Sequence, residues 1–268
     1  MTYQRINLEF RENLAVIELN HPKVLNAISQ LMLEELKSAV AKVAAPENGI
    51  RCLLLTGAGR GFCSGANLSD RAQIKEEKPV SGKAEIPFSL DNTYNPFFLM
   101  LRELKMPVVT AVQGPAAGIG MTLALMGDIV LAGESAYFLQ AFRKIGLIPD
   151  GGITWLLPRL IGLARAMELS LLAERLPAEK ALAWGLINRV VPDDQLLPEA
   201  FKMAEELAKG PTSTLGLIRQ AYWKSFDNSY EQQLHLESLG QLQAAACEDA
   251  AEGIAAFLEK RSPDFKGR

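Results

Sequence analysis

Residues 112–128 read VQGPAAGIGMTLALMGD, a glycine-broken loop that opens directly into an apolar helix. The first N–H groups of a helix have no partner within the helix and point at whatever lies in front of it. Three glycines, Gly114, Gly118 and Gly120, let the backbone approach a ligand closely. The stretch therefore predicts a binding site for an oxyanion. Taken alone, such a glycine cluster is more typical of a turn before a buried helix.

A second glycine-rich loop, GAGRGFCSGANL at 57–68, follows another short apolar strand at 52–56. In a layered parallel fold, loops that follow neighbouring strands lie on the same side of the sheet. Each loop can then direct one backbone N–H at the same point, and two such donors form an oxyanion hole. The GAGRG portion lacks the spacing of a dinucleotide fingerprint and the Lys-Ser/Thr pair of a P-loop, so a nucleotide triphosphate is not expected.

The composition limits the classes of function. The chain has 268 residues, 49% hydrophobic residues and a formal net charge of −3. This length suits one large domain or two modest ones, and the small net charge argues against non-specific nucleic-acid binding. The three cysteines, Cys52, Cys63 and Cys247, lack disulfide or zinc spacing, and a nucleophilic Cys63 would need one of the two histidines. No signal peptide or membrane-spanning run is visible, so we expect a cytoplasmic protein without a membrane partner.

Hydrophobic periodicity predicts strands and helices that alternate in the first two thirds of the chain. The predicted strands span 3–10, 14–20, 52–56, 108–112, 129–131 and 136–139, and the predicted helices span 26–45, 97–104, 155–185 and most of 199–260, with breaks at 210–211 and 227–228. The alternation predicts an α/β core with largely parallel strands at 1–198. The helical region at 199–268 is expected to supply a subunit interface.

Six ordered segments carry a resemblance to a known family. They are HPKVLNAIS (21–29), LLLTGAGRGFCSGANL (53–68), PVVTAVQGPAAGIGMTLALMGDIVLA (107–132), IGLIPDGGITWLLPRLIG (145–162), ALAWGLINRVV (181–191) and FLEKRSPDFKG (257–267). With them the chain resembles the enoyl-CoA hydratase/isomerase (crotonase) superfamily over essentially its whole length. The resemblance implies a crotonase-like spiral of ββα units and a C-terminal helical trimerisation region, in a homotrimer or a dimer of trimers. It also implies an acyl-coenzyme A thioester as substrate, with no metal or other cofactor.

The resemblance also assigns site residues. It places the two oxyanion-hole N–H groups on Ala66 and Ile119, where position 119 is usually glycine, so the Ile119 side chain is expected to narrow the pocket. The polar and mixed-charge residues 71–95 would lie over the acyl pocket. The coenzyme A positions are Lys23 and Leu25 for the phosphates and adenine, Ser64, Ala66, Asn67 and Leu68 for the adenine and pantetheine, and Phe257 and Lys260 for the ligand of a neighbouring subunit. Asn67 replaces the usual aspartate, and Gly118 and Phe142 are further expected substrate contacts.

The acid–base residues distinguish the reactions of the family. Hydratases in it use two glutamates, and these positions are Thr122 and Phe142 here. Asp150, in IPDGG, matches the single carboxylate with which family isomerases move an enoyl double bond. The segment LIPDGGITWLLPRLIG particularly resembles the 1,2-epoxyphenylacetyl-CoA isomerases of phenylacetate degradation. We therefore expect an enoyl-CoA isomerase with Asp150 as its acid and base.

Three alternatives stay open. The first is an enoyl-CoA hydratase with displaced acids. The second is a nucleophilic Asp150, as in related aryl-CoA dehalogenases. Those enzymes usually have a histidine base near the site, and this chain has no histidine between His21 and His235. The third is an acyl-CoA-binding oligomer without catalysis. Without the resemblance, Asp150 is more typical of a turn residue, since Pro-Asp-Gly is a common turn composition.

Overall fold

A computed structural model describes residues 2–68 and 90–268. Of the segment expected over the acyl pocket, residues 71–89 lie outside the described residues, so that prediction is not tested. Every helix in the described parts is too short or too polar to cross a membrane.

A six-stranded sheet forms the centre of the molecule, with the strand order β1-β2-β3-β4-β6-β9. Only the β1–β2 pair is antiparallel among its described strands, so the prediction of largely parallel strands is confirmed. The strands are β1 (Ile6–Arg11), β2 (Leu14–Leu19), β3 (Cys52–Gly57), β4 (Val108–Val112), β6 (Ile129–Gly133) and β9 (Arg189–Val191). In register, Leu14 lies opposite Cys52, Leu53 opposite Val108, and Val109 opposite Ile129.

Both faces of the central strands β2, β3 and β4 are buried, which explains why β3 and β4 read as continuous apolar runs. Alternate residues such as Leu53 and Leu55 face the larger core, together with helices α1 (Gln30–Ala44) and α2 (Tyr94–Arg102). The intervening residues such as Leu54 face the smaller core, against helix α7 (Leu196–Ala208). Helix α7 therefore crosses the boundary predicted at residue 199, and the division into two domains stays a prediction.

A second, three-stranded sheet has the order β5-β7-β8. It comprises β5 (Pro115–Ala117), β7 (Tyr137–Leu139) and β8 (Leu176–Pro177). Strands β5 and β8, and β9 of the larger sheet, are not predicted from the sequence, because two or three residues are too few to show a period. Strand β5 forms because its partners hold it: Ala116 lies opposite Phe138 in β7 and also forms a parallel bridge with Cys63.

The helices lie where the sequence predicts helical segments, but their ends are shifted. The prediction of one helix over 155–185 is wrong, because Gly162 (φ 80°) and Ala173 (φ 51°) interrupt it and strand β8 follows. Helix α1 begins at Gln30 rather than 26, because Leu25 and Asn26 have positive φ angles of 51° and 56° and the Ser29 side chain caps the helix by accepting from the Met32 N–H. The helices not yet named are α3 (Ile119–Ala124), α4 (Ile153–Ile161), α5 (Leu163–Leu172), α6 (Ala178–Ala183), α8 (Thr212–Ser225), α9 (Tyr230–Ala245) and α10 (Glu248–Glu259). The breaks predicted at 210–211 and 227–228 are confirmed, and a third lies between α9 and α10.

Candidate active site

The two glycine-rich loops lie side by side. The Cys63 N–H donates to the Pro115 carbonyl at 3.0 Å, and the Ala117 N–H donates to the Cys63 carbonyl at 2.9 Å. Gly120 permits this close approach, since a Cβ added there would lie 2.4 Å from the Cys63 carbonyl oxygen. The main chain after β3 is therefore fixed directly to the main chain before α3.

Ala66 and Ile119 present backbone N–H groups from these two loops. The main chain around Ala66 pairs with Ile28, which donates to the Gly65 carbonyl and accepts from the Asn67 N–H. Because backbone groups alternate in direction along an extended chain, the Ala66 N–H points away from Ile28. Ile119 is the first residue of α3, so its N–H has no acceptor within the helix. Neither N–H donates a hydrogen bond to another described residue.

Gly118 sets the direction of the Ile119 N–H. It precedes α3 with φ 53° and ψ −128°, a conformation that costs little only for glycine. Its own N–H donates to the Leu139 carbonyl at 2.9 Å, which ties the start of α3 to β7. Gly118, which the sequence predicts to approach a ligand, is thus also the residue at which the chain turns from β5 into α3.

The two residues that carry these N–H groups line a cavity of about 160 Å³. Seven predicted site residues line it: Ser64, Ala66, Leu68, Gly118, Ile119, Phe142 and Asp150. The other lining residues described are Gly65, Ala141, Lys144, Ile145 and Leu147. Among these described lining residues, Asp150 carries the one carboxylate and Lys144 the one ammonium group, and the rest of the lining is largely apolar.

Asp150 lies in a turn between a 3-10 helix (Phe142–Ile145) and α4. Gly151 and Gly152 follow it with φ 68° and 83°, and Gly152 caps α4. The Thr122 hydroxyl donates to the Asp150 backbone carbonyl at 3.3 Å. Asp150 is therefore both the turn residue that its neighbours suggest and the carboxylate of the cavity. Thr122 and Phe142 stand where hydratase acids were expected, and both are buried.

The predicted coenzyme A residues divide between the cavity wall and its surroundings. The Ser64 N–H donates to the Leu25 carbonyl and the Ser64 hydroxyl to the Val24 carbonyl, each at 2.9 Å. Lys23 is exposed in the adjoining 3-10 helix (Pro22–Val24). Lys23, Leu25 and Asn67 therefore lie on the two segments that meet beside Ser64, although they are not among the described lining residues of the cavity.

Phe257 and Lys260 do not line the cavity of their own chain within the described residues. Both lie at the end of α10, and Phe257 is 83% exposed. The rest of this segment folds back on α10: Arg261 pairs with Glu252 at 2.6 Å, and Glu252 also accepts the Asp264 N–H. These hydrogen bonds lower the pKa of Glu252 to about 2.

Asn26 is a residue that the sequence analysis missed. It is fully buried, and its side-chain amide donates to the carbonyls of Ala58, Gly61 and Phe62 at 2.9, 2.8 and 3.2 Å. Its side-chain oxygen accepts the His21 N–H at 2.8 Å. One side chain thus fixes the loop that leads to Ala66. The signal in the sequence was a polar asparagine at the start of the helix predicted at 26–45.

The remaining candidates carry no chemistry of their own. Cys63 is fully buried, and burial raises the pKa of its thiol to about 12, so it is not a nucleophile. No group of three or more His, Cys, Asp or Glu side chains able to hold a metal occurs in residues 2–68 and 90–268. The expectation that no metal or other cofactor is needed stays a prediction.

Comparisons with known proteins agree with this geometry. The sequence model described as enoyl-CoA hydratase/isomerase matches residues 9–268. A 1,2-epoxyphenylacetyl-CoA isomerase of Escherichia coli is 47% identical over 94% of each chain, and a "Probable enoyl-CoA hydratase" of Rhodobacter capsulatus is 40% identical over the full length of both. Subunit I of an enoyl-CoA hydratase from Geobacillus kaustophilus superposes with a TM-score of 0.90 at 34% identity, covering 99% of each chain. The predicted superfamily and its crotonase-like α/β fold are confirmed.

Proposed function

We propose that this chain, which belongs to the enoyl-CoA hydratase/isomerase family, is an enoyl-CoA isomerase that uses Asp150 as its acid and base. One observation carries the proposal. Among the described residues that line the cavity, Asp150 carries the one carboxylate, and Ala66 and Ile119 each bring a backbone N–H that donates to no other described residue. A reaction that removes a proton and returns it needs one such group, whereas the addition of water is served by an acid and a base together.

In this mechanism the thioester oxygen accepts hydrogen bonds from Ala66 and Ile119. The negative charge that develops when the neighbouring carbon loses a proton then lies on an oxygen held by two donors. The Asp150 carboxylate takes that proton, which leaves an enolate conjugated with the double bond. Asp150 then returns the proton to the carbon at the other end of this conjugated system, and the double bond has moved by one position. By analogy with measured oxyanion holes, each donor contributes about 3–4 kcal/mol.

Hydration lacks a second carboxylate among the described residues of the cavity wall, where Lys144 is the one other charged side chain. Thr122 donates its hydroxyl to the Asp150 carbonyl, and Phe142 is an apolar side chain in the wall. The relatives carry both names, isomerase for the E. coli protein and hydratase for that of R. capsulatus. A hydratase activity therefore remains the alternative against which the proposal is tested.

The test is to follow isomerisation and hydration in parallel over a panel of enoyl-CoA thioesters of different chain length and double-bond position. We expect a 3-enoyl-CoA to gain conjugated-enoyl absorbance, and crotonyl-CoA to keep its own. Asp150→Asn should abolish double-bond migration while the variant still binds the thioester. Full activity of this variant, or ordinary turnover of crotonyl-CoA, would refute the isomerase assignment.

A binding protein without catalysis is distinguished by proton exchange. The enzyme should exchange substrate protons with deuterated water in a way that depends on Asp150, and mass spectrometry of the recovered thioester measures this. Thermal stabilisation by acyl-CoA without any exchange would favour the non-catalytic oligomer. A covalent acyl or aryl adduct on Asp150 would favour the nucleophilic alternative.

We also propose that the chain works as a trimer or a dimer of trimers. Helix α9 has sixteen residues, none of them buried within the chain, and it exposes leucines including Leu234, Leu239 and Leu242. Phe257 at the end of α10 is also exposed, so a neighbouring copy could receive it beside the coenzyme A that Lys23 and Ser64 would contact. Sedimentation velocity would measure the assembly, and a monomer at micromolar concentration would contradict it. The cytoplasmic location stays a prediction.

A further inference from the structure

Two side chains of α3 face the Asp150 turn. Ile119 and Thr122 are three residues apart, so they lie on the same face of the helix. A Cβ added at Gly151 would lie 2.6 Å from Ile119 Cδ1 and 3.0 Å from Thr122 Cγ2. The Ile119 side chain, expected to narrow the pocket, thus packs closely beneath the turn that carries Asp150.

A hydrogen bond from α3 also holds the turn that carries Asp150. The Thr122 hydroxyl donates to the Asp150 carbonyl, and Thr122 is fully buried. Close packing at Gly151 limits movement of the turn toward α3, and the hydrogen bond limits movement away from it. Because Ile119 also supplies an oxyanion-hole N–H, α3 holds the donor and the carboxylate in one fixed relation.

We propose that Thr122 is a positioning residue that holds the Asp150 carboxylate at its distance from the oxyanion hole. This rests on the proposed function, since it gives Asp150 the proton transfer. A displacement of about 1 Å can reduce catalysis by about 100-fold without a comparable effect on binding. Thr122, at the position where hydratases of the family have a glutamate, would therefore act by holding Asp150 in place.

The experiment compares three variants by kcat and KM for isomerisation. Thr122→Val keeps the shape and removes the hydroxyl, and we expect kcat to fall by about 10- to 100-fold while KM changes less than about twofold. Thr122→Ser restores the hydroxyl and should recover kcat to within about threefold. If Thr122→Val does not fold, Thr122→Ala is measured in its place, with the same expectation.

Thr56→Val is the matched control. Thr56 is also a buried threonine whose hydroxyl donates to a backbone carbonyl, that of Ala111, at 3.3 Å. It lies in β3 and is not among the described residues of the cavity wall. Thr56→Val should reduce the melting temperature about as much as Thr122→Val does, and leave kcat unchanged.

The outcomes separate the two proposals. If Asp150→Asn is inactive but Thr122→Val keeps kcat within twofold of the parent protein, the positioning role is refuted and the isomerase survives. Equal losses of kcat in Thr122→Val and Thr56→Val would also refute it, because the effect would then follow stability alone. If Asp150→Asn keeps full activity, the proposed function itself fails. A kcat-specific loss at Thr122 that serine rescues supports the role.

Discussion

Replacement of Asn26 by alanine should destabilise the protein strongly, because its buried amide donates to three carbonyls of the loop before Ala66. The substitution leaves the Ala58 and Phe62 carbonyls and the His21 N–H without this partner, whereas the Gly61 carbonyl keeps the Gln113 amide as a donor. A buried polar group left unsatisfied costs about 1–3 kcal/mol. Asn26 also has φ 56°, a conformation that alanine adopts at a cost of about 1–2 kcal/mol. Some relaxation of the loop is expected, so the free energy of unfolding should fall by about 3–5 kcal/mol, a large share of the 5–15 kcal/mol typical of a folded protein.

The assay is denaturant unfolding at a fixed subunit concentration, since an oligomer's apparent stability depends on concentration. Asn20→Ala is the control, because the Asn20 side chain donates to Asn7 on the exposed surface and its loss should cost less than about 0.5 kcal/mol. Asn26→Ala should also weaken acyl-CoA binding, as the loop before Ala66 loses its anchor. A loss of stability below 1 kcal/mol, with normal binding, would show that the amide does not organise this loop.

Three further predictions follow from local geometry. Gly118→Ala should lower the free energy of unfolding by about 1–3 kcal/mol and reduce kcat, because φ 53° with ψ −128° is strained for alanine. The added methyl group itself has room, so the backbone strain is the cause. An unchanged kcat would contradict the prediction. Of the three thiols, only Cys247 should react with a thiol reagent in the native protein, since Cys52 and Cys63 are buried with pKa values raised to about 12. Mass spectrometry of the labelled protein identifies the modified cysteine, and modification of Cys63 would contradict the prediction. The pKa of Glu252 is lowered to about 2, so its stabilisation of the C-terminal segment is present above the unfolded pKa of about 4.3 and is lost as the pH falls toward 2. The difference in melting temperature between the parent protein and Glu252→Gln should therefore shrink as the pH falls from about 4.3 to 2. A difference that stays constant would contradict this role of Glu252.

The sequence predicted the buried strands well because each is a short apolar run between clear breaks. Strand β4 was predicted at its observed ends, 108–112, and β3 within one residue. Strand β5 was missed because its three residues, Pro-Ala-Ala, have no strand preference and are held only by β7 and Cys63. The start of α1 was misplaced because the two left-handed residues before it are set by contacts with the 57–63 loop, which are remote in sequence.

The candidate site shows the same division. Asp150 and the two N–H donors were identified through motifs, and they line one cavity. The hydrogen bond from Thr122 to the Asp150 carbonyl joins residues 28 positions apart and has no sequence pattern, so it could be found only in the structure. Asn26 escaped notice for a similar reason, since its partners at 58–62 lie more than thirty residues away.

Both groups that would hold the thioester oxygen are main-chain atoms, and this makes them insensitive to most mutations. Any residue except proline supplies the N–H, so Ile119 in place of a usual glycine leaves the donor intact. Side-chain positions such as 122, 142 and 150 have no such protection, and one nucleotide change is enough to remove the acid at position 150. The two halves of the site can therefore evolve at different rates: the part that binds the oxyanion persists under mutational drift, while the part that moves protons is open to replacement, and new reactions can arise on an unchanged backbone.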